Sequence, residues 1–135
     1  MAEAAKAEVL AVRGETDVVM VRQTVRTWSV QQGFSLVDQT KMVTAASEIA
    51  RNTVIYGGGG TVRVEALVDG MRKGLRLVFQ DEGPGIKDVE LALRDGYTTG
   101  TGLGMGLGGA RRLVNEFSIQ SSPGQGTRVT LTKWR

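Results

Sequence analysis

The chain has 135 residues, 41% of them hydrophobic, which suits a single domain, 1–135, built on one core. It has no cysteine and no histidine, which excludes disulfide staples, thiolate sites, Ser-His-Asp triads, histidine-ligated zinc and a phosphohistidine relay. The net charge of +3 comes from 17 basic residues spread along the chain, without the basic stripe or stacking aromatics that nucleic acid requires.

Glu8 to Arg13 reads as a short edge strand. Thr16 can cap a helix running to about Gln32, with Val18, Val21, Val25 and Trp28 at helical spacing and Gly33 as its stop. Ser35 caps a second helix, with Asp38 placed as in a capping box, running to about Tyr56 and stopping at Gly57 to Gly60. Thr61 to Val68 and Leu75 to Gln80 alternate as strands on either side of an Asp69-Gly70 turn. A short helix over Asp88 to Arg94, a glycine-rich run and a helix over about Leu107 to Glu116 follow. Phe117 to Ser122 and Thr127 to Trp134 close the chain as a hairpin around Pro123 to Gly126. The predicted architecture is α+β: a two-layer sandwich of a mostly antiparallel or mixed sheet covered on one face by helices. No apolar run approaches the roughly 18 residues of a membrane span, and Met1 to Glu8 lack a signal-peptide core, so a cytoplasmic protein without membrane contact is expected.

Without histidine or cysteine, chemistry must come from carboxylates, amides, hydroxyls, arginines or lysines, with a cofactor supplying the reactive group. Glu48 and Asn52 lie four apart and project from one face of the second helix, with Val43, Ala50 and Val54 on the core side. A plain solvated face is one account of this pair. The other is a pocket mouth, where Asn52 ligates a hard cation such as Mg2+ and Glu48 orients or deprotonates an attacking hydroxyl. Asp81-Glu82-Gly83-Pro84-Gly85 follows an apolar strand; it is either a turn, or backbone that approaches a flat ligand with Asp81 accepting from an exocyclic amine.

Glycine is over-represented: 19 residues where average usage of about 7% predicts roughly half as many, with seven between Gly96 and Gly109. Gly104, Gly106 and Gly109 formally match G-x-G-x-x-G, but no strand precedes them, and no lysine follows a glycine as a Walker A motif requires. What remains is the physics those loops share: free glycine amides leading into a helix suit a triphosphate. A flexible linker is the alternative. Arg111 and Arg112 read as a solvated helix face, one of which can turn to a phosphate.

In order along the chain, Glu48-x-x-x-Asn52, Asp81-x-Gly83-x-Gly85, Gly102-x-Gly104-x-Gly106 and Gly126-Thr127 resemble the four ATP-binding boxes of the GHKL family of gyrase B, Hsp90, histidine kinases and MutL. The resemblance implies a Bergerat fold holding ATP and Mg2+ under a lid over about Asp95 to Thr101. The implied nucleotide contacts are Asn52, Asp81, Gly83, Gly85, Ile86, Thr99, Gly100, Gly102, Leu103, Gly104, Met105, Gly106 and Thr127, with Asn52 on the metal and Glu48 as catalytic base. Within the family, Ala46 to Asn52, Asp95 to Thr99 and Thr132 to Arg135 are similar to the serine/threonine switch kinases of bacterial stress-response partner switching. That implies STAS-domain scaffold and antagonist proteins of a stressosome as substrates, and a PP2C-type phosphatase as the target activated afterwards. An anti-sigma factor with kinase activity shares the same motifs and stays open as the alternative. A fragment of a topoisomerase or Hsp90-like machine fits less well, since such proteins need further domains. So does a histidine kinase, since the chain has neither a phosphoacceptor histidine nor a dimerisation helix pair.

Overall fold

The computed structural model describes residues 2–86, 88–93 and 106–135. In chain order the elements are β1 (Glu3–Val12), α1 (Glu15–Gln31), α2 (Leu36–Ile55), β2 (Gly60–Asp69), β3 (Arg72–Asp81), α3 (Val89–Ala92), α4 (Gly106–Arg112), β4 (Glu116–Ser121) and β5 (Thr127–Trp134). The strands form one sheet in the order β1-β2-β3-β5-β4. Each of its four ladders is antiparallel, so the mixed sheet allowed by the sequence does not occur among the described residues.

The stripe Val18, Val21, Val25 and Trp28 is buried, as its helical spacing requires. It packs with Met42, Ala46 and Ile49 of α2 over the inward side chains Val62, Val64, Leu75, Leu77, Phe79, Val129 and Leu131. Fully burying side chains of this size stabilises the fold by about 1.5–3 kcal/mol each. The cap of α1 is Gly14 rather than Thr16, because the Val18 N–H closes the first turn on the Gly14 carbonyl at 3.1 Å. At α2, Ser35 Oγ accepts from the Asp38 N–H at 3.1 Å, while the Asp38 carboxylate faces Lys133 Nζ at 3.6 Å, so the capping box is half made.

β3 begins at Arg72, three residues before the expected Leu75, because its ladder with β2 runs to the turn, and two boundaries differ further from the sequence expectation. β1 begins at Glu3, because β2 supplies ladder partners as far as Val68 even where the side chains are polar or small. The helix after the glycine-rich run ends at Arg112 instead of Glu116. Leu113 N already bonds Ala110 O at 3.1 Å, and Asn115 is captured by β5 through its N–H to Thr132 O and its Oδ1 from Trp134 N.

The two long helices run in opposite directions along the sheet. At the far end of α1, Gln32 Nε2 donates to the carbonyls of Leu67 (3.0 Å) and Gly74 (2.8 Å), tying it to the β2–β3 turn. From there α2 returns, and the Gly59 N–H bonds Thr53 O at 2.9 Å as the chain enters β2 at Gly60, the register partner of Asp81. The last turn of α2 and the last residue of β3 are thereby brought side by side. The opposite sheet face carries Arg63, Glu65 and Arg76, with Glu65 bridging both guanidinium groups.

Candidate active site

Asp81 is only 7% exposed, and its Oδ1 accepts from the Gly83 N–H at 2.9 Å. Its Oδ2 has no donor among the described residues, which leaves an acceptor for a ligand amine. The carboxylate lies against Gly57, and Gly83 lies against the backbone of that same glycine. Gly57 in turn donates to Asn52 O at 3.2 Å, so Asn52 and Asp81 share one end of the molecule.

The Asp81-to-Gly85 segment is stapled to the β4–β5 hairpin. Gly124 N donates to Pro84 O at 2.7 Å, and Ile86 N donates to Ser121 Oγ at 2.7 Å. Ser121 Oγ also donates its one hydrogen to Gly126 O at 2.9 Å, so across the 2.8 Å contact with Thr127 it is the Thr127 hydroxyl that donates. Thr127 is the register partner of Asp81. Gly126 has φ +76° and presses against Asp81 O, a position in which a Cβ has neither space nor a relaxed backbone.

Glu48, Arg51 and Asn52 lie on one stripe of α2. The Glu48 side chain is 13% exposed; Oε1 is 3.2 Å from Arg51 Nη1, and Oε2 accepts from Gly106 N at 3.4 Å. That second contact connects α2 to the end of the glycine-rich run. The Asn52 side chain is partly buried and has no hydrogen-bond partner among the described residues. An amide oxygen without a partner, one turn after a carboxylate, is a donor set for a hard oxygen-liganded cation.

Of the sequence candidates, Glu48, Asn52, Asp81, Gly83, Gly85, Ile86, Gly106 and Thr127 fall within two adjoining groups, one around Asp81 and one around Glu48. Thr99, Gly100, Gly102, Leu103, Gly104 and Met105, and the expected lid, lie outside the described residues. Arg111 and Arg112 are exposed in the last turn of α4. Three residues at the site were not singled out from the sequence: Arg51, Gly57 and Ser121. The position of Arg51 three residues after Glu48 was a readable signal. The parts of Gly57 and Ser121 depend on segments that meet only in the fold.

Residues 37–135 match the family described as histidine kinase-, DNA gyrase B-, and HSP90-like ATPases. The chain belongs to this family. Its Asp81 and Glu48 groups are thus placed on the fold of these ATPases. Among curated members, the serine/threonine-protein kinase RsbT of Bacillus subtilis (strain 168) is 43% identical over 120 residues, covering 89% of this chain and 90% of that one. The anti-sigma F factor of Bacillus licheniformis is 33% identical over 119 residues, covering 83% and 80%. Among solved structures, a Mycobacterium tuberculosis chain comprising RsbU and RsbW domains superposes with a TM-score of 0.65 at 24% identity. It covers 97% of this chain and 33% of the longer one. The mycobacterial sensor histidine kinase MprB superposes with a TM-score of 0.55 at 17% identity, over 96% and 97%. These last two likenesses concern the ATPase-family fold alone.

Proposed function

We propose that this chain is an ATP-dependent serine/threonine protein kinase of a bacterial partner-switching module. The observation that carries the reading is the link from Asn52, one turn after Glu48, through Gly57 to Asp81 at one end of the fold, in a chain 43% identical to a serine/threonine-protein kinase. When bound, ATP with Mg2+ supplies the phosphoryl group. Asp81 Oδ2 accepts from the adenine amine, and the Asn52 amide oxygen takes a place on the metal. No group of three or more acidic, histidine or cysteine ligands occurs among the described residues. Glu48 orients the substrate hydroxyl and takes its proton. The protein contributes positioning and electrostatics, which is what phosphoryl transfer chiefly needs.

The substrates on this reading are serine or threonine residues of STAS-domain proteins, and the partner engaged afterwards is a PP2C-type phosphatase, all in the cytoplasm. No helix of the described residues is long and apolar enough to cross a membrane. A second reading, an anti-sigma factor with kinase activity that sequesters a sigma factor, draws on the 33% identity to an anti-sigma F factor.

The test is incubation with labelled ATP, Mg2+ and a STAS-domain protein, followed by mapping of the label. Label on a serine or threonine is expected, and Asn52→Ala should abolish it. Glu48→Ala should still bind nucleotide and lose at least about 100-fold in rate, the usual scale of general-base catalysis. Absence of labelling together with tight sigma-factor binding would favour the second reading. Absence of any affinity for adenine nucleotides would overturn both.

A further inference from the structure

The Glu48 carboxylate is more fully engaged than a residue waiting for a substrate hydroxyl needs to be. One oxygen is held by Arg51 at 3.2 Å and the other by the Gly106 N–H at 3.4 Å. A planar guanidinium and a peptide N–H are the two donor types that proteins most often offer to phosphate oxygens. Glu48 therefore sits as an anion across two donors that a nucleotide phosphate would itself seek. Held at Glu48, the Arg51 head group lies one turn before Asn52, on the stripe of α2 that carries all three residues. Its side chain is 39% exposed, and an i,i+3 ion pair open to water on one side is weak and readily exchanged.

We propose that Arg51 is a ligand of the terminal phosphate of ATP, with Glu48 as its resting partner. The exchange is one of anions. The γ-phosphate takes the guanidinium, and the Glu48 carboxylate turns free toward the incoming hydroxyl. A diphosphate lacks the group that completes the exchange, so Arg51 makes the site tell ATP from ADP. This inference rests on the nucleotide-site reading above and assigns a recognition role within it. No ordinary surface pair predicts that role.

The experiment measures Kd for ATP and for ADP, each with Mg2+, by calorimetry on the whole chain. The proteins compared are wild type, Arg51→Ala, Arg51→Lys, Glu48→Gln and the double variant. Loss of one charge-assisted phosphate contact is expected to weaken ATP about tenfold in Arg51→Ala while ADP changes less than about twofold, with Arg51→Lys recovering part of the loss. Glu48→Gln should tighten ATP, because the guanidinium no longer has to be taken from a carboxylate, and this gain should vanish in the double variant. Equal weakening of ATP and ADP in Arg51→Ala would overturn the proposal, as would a Glu48→Gln gain that persists without Arg51. Should Arg51→Ala fail to fold, Arg51→Lys and Glu48→Gln still decide by the ratio of the two affinities. A wild-type chain that binds neither nucleotide would overturn the nucleotide site and this proposal with it. A chain that binds both without an Arg51-dependent difference would overturn this proposal alone.

Discussion

A methyl group at Gly57 would come to 2.5 Å from Asp81 Oδ2 and 2.7 Å from its Cβ. The backbone there is not left-handed, so alanine is conformationally allowed and the substitution isolates the steric effect. Something must move, and the nearest side chain is Asp81. Gly57→Ala should cost about 1–3 kcal/mol of stability through overpacking. On the proposed function it should also weaken adenine nucleotide binding about tenfold by displacing the base acceptor. Displacement of a fluorescent ATP analogue would measure the second effect and urea unfolding the first; unchanged nucleotide affinity would remove Asp81 from the base site. Ser121 is similarly exposed to test. It satisfies the Ile86 N–H, so Ser121→Ala should cost about 1–3 kcal/mol by leaving that donor unpaired, unless water enters.

α2 connects the two ends of the fold. Its N-terminus is fixed by Ser35 far from the site, and its last two turns carry Glu48, Arg51 and Asn52. Ser35→Ala should therefore lower stability by about 1 kcal/mol while leaving nucleotide affinity unchanged, as followed by thermal melting and calorimetry. The course of this helix was legible because its signals are local: a cap, a buried stripe and a glycine stop. The stripe of α1 and the alternation of β2 and β3 were legible for the same reason. What was not legible depends on partners distant in sequence. The early start of β1 is supplied by β2, and the early end of α4 by β5 through Asn115. At the site the same division holds. Glu48, Asn52 and Asp81 became candidates through the order of their boxes along the chain, whereas Gly57 matters only because β3 delivers Asp81 against it.

For the molecule as a whole, the sheet face away from the helices sets an acid limit. Burial alone would raise the Glu65 carboxyl, but hydrogen bonds and charges from Arg76 and Arg63 outweigh it and hold the group below its ordinary value of 4.5. A carboxylate depressed on folding gives stability that is fully present above about pH 4.5 and is lost as pH falls through the lower folded value. Glu65→Gln should thus destabilise the protein at pH 7 by about 1–2 kcal/mol, a charged-hydrogen-bond loss discounted for the solvent-exposed guanidiniums. The difference from wild type should shrink toward zero in urea titrations run below pH 4. A constant difference across that range would mean packing, rather than charge, carries the effect.

Both tryptophans sit at one end of the sheet. Trp134 is the register partner of Gly74, with the Arg72 guanidinium over its ring, and Trp28 lies one helical turn before the Gln32 that grips the Gly74 carbonyl. Asp81 is seven residues further along β3, about 23 Å away at the rise of an extended strand. Tryptophan emission, excited beyond the tyrosine band, is therefore a reporter of global unfolding that is optically remote from the Asp81 end. A titration with nucleotide should leave it nearly constant while melting abolishes it. Binding and folding can thus be read in one cuvette, on separate channels, without an engineered fluorophore on the fold.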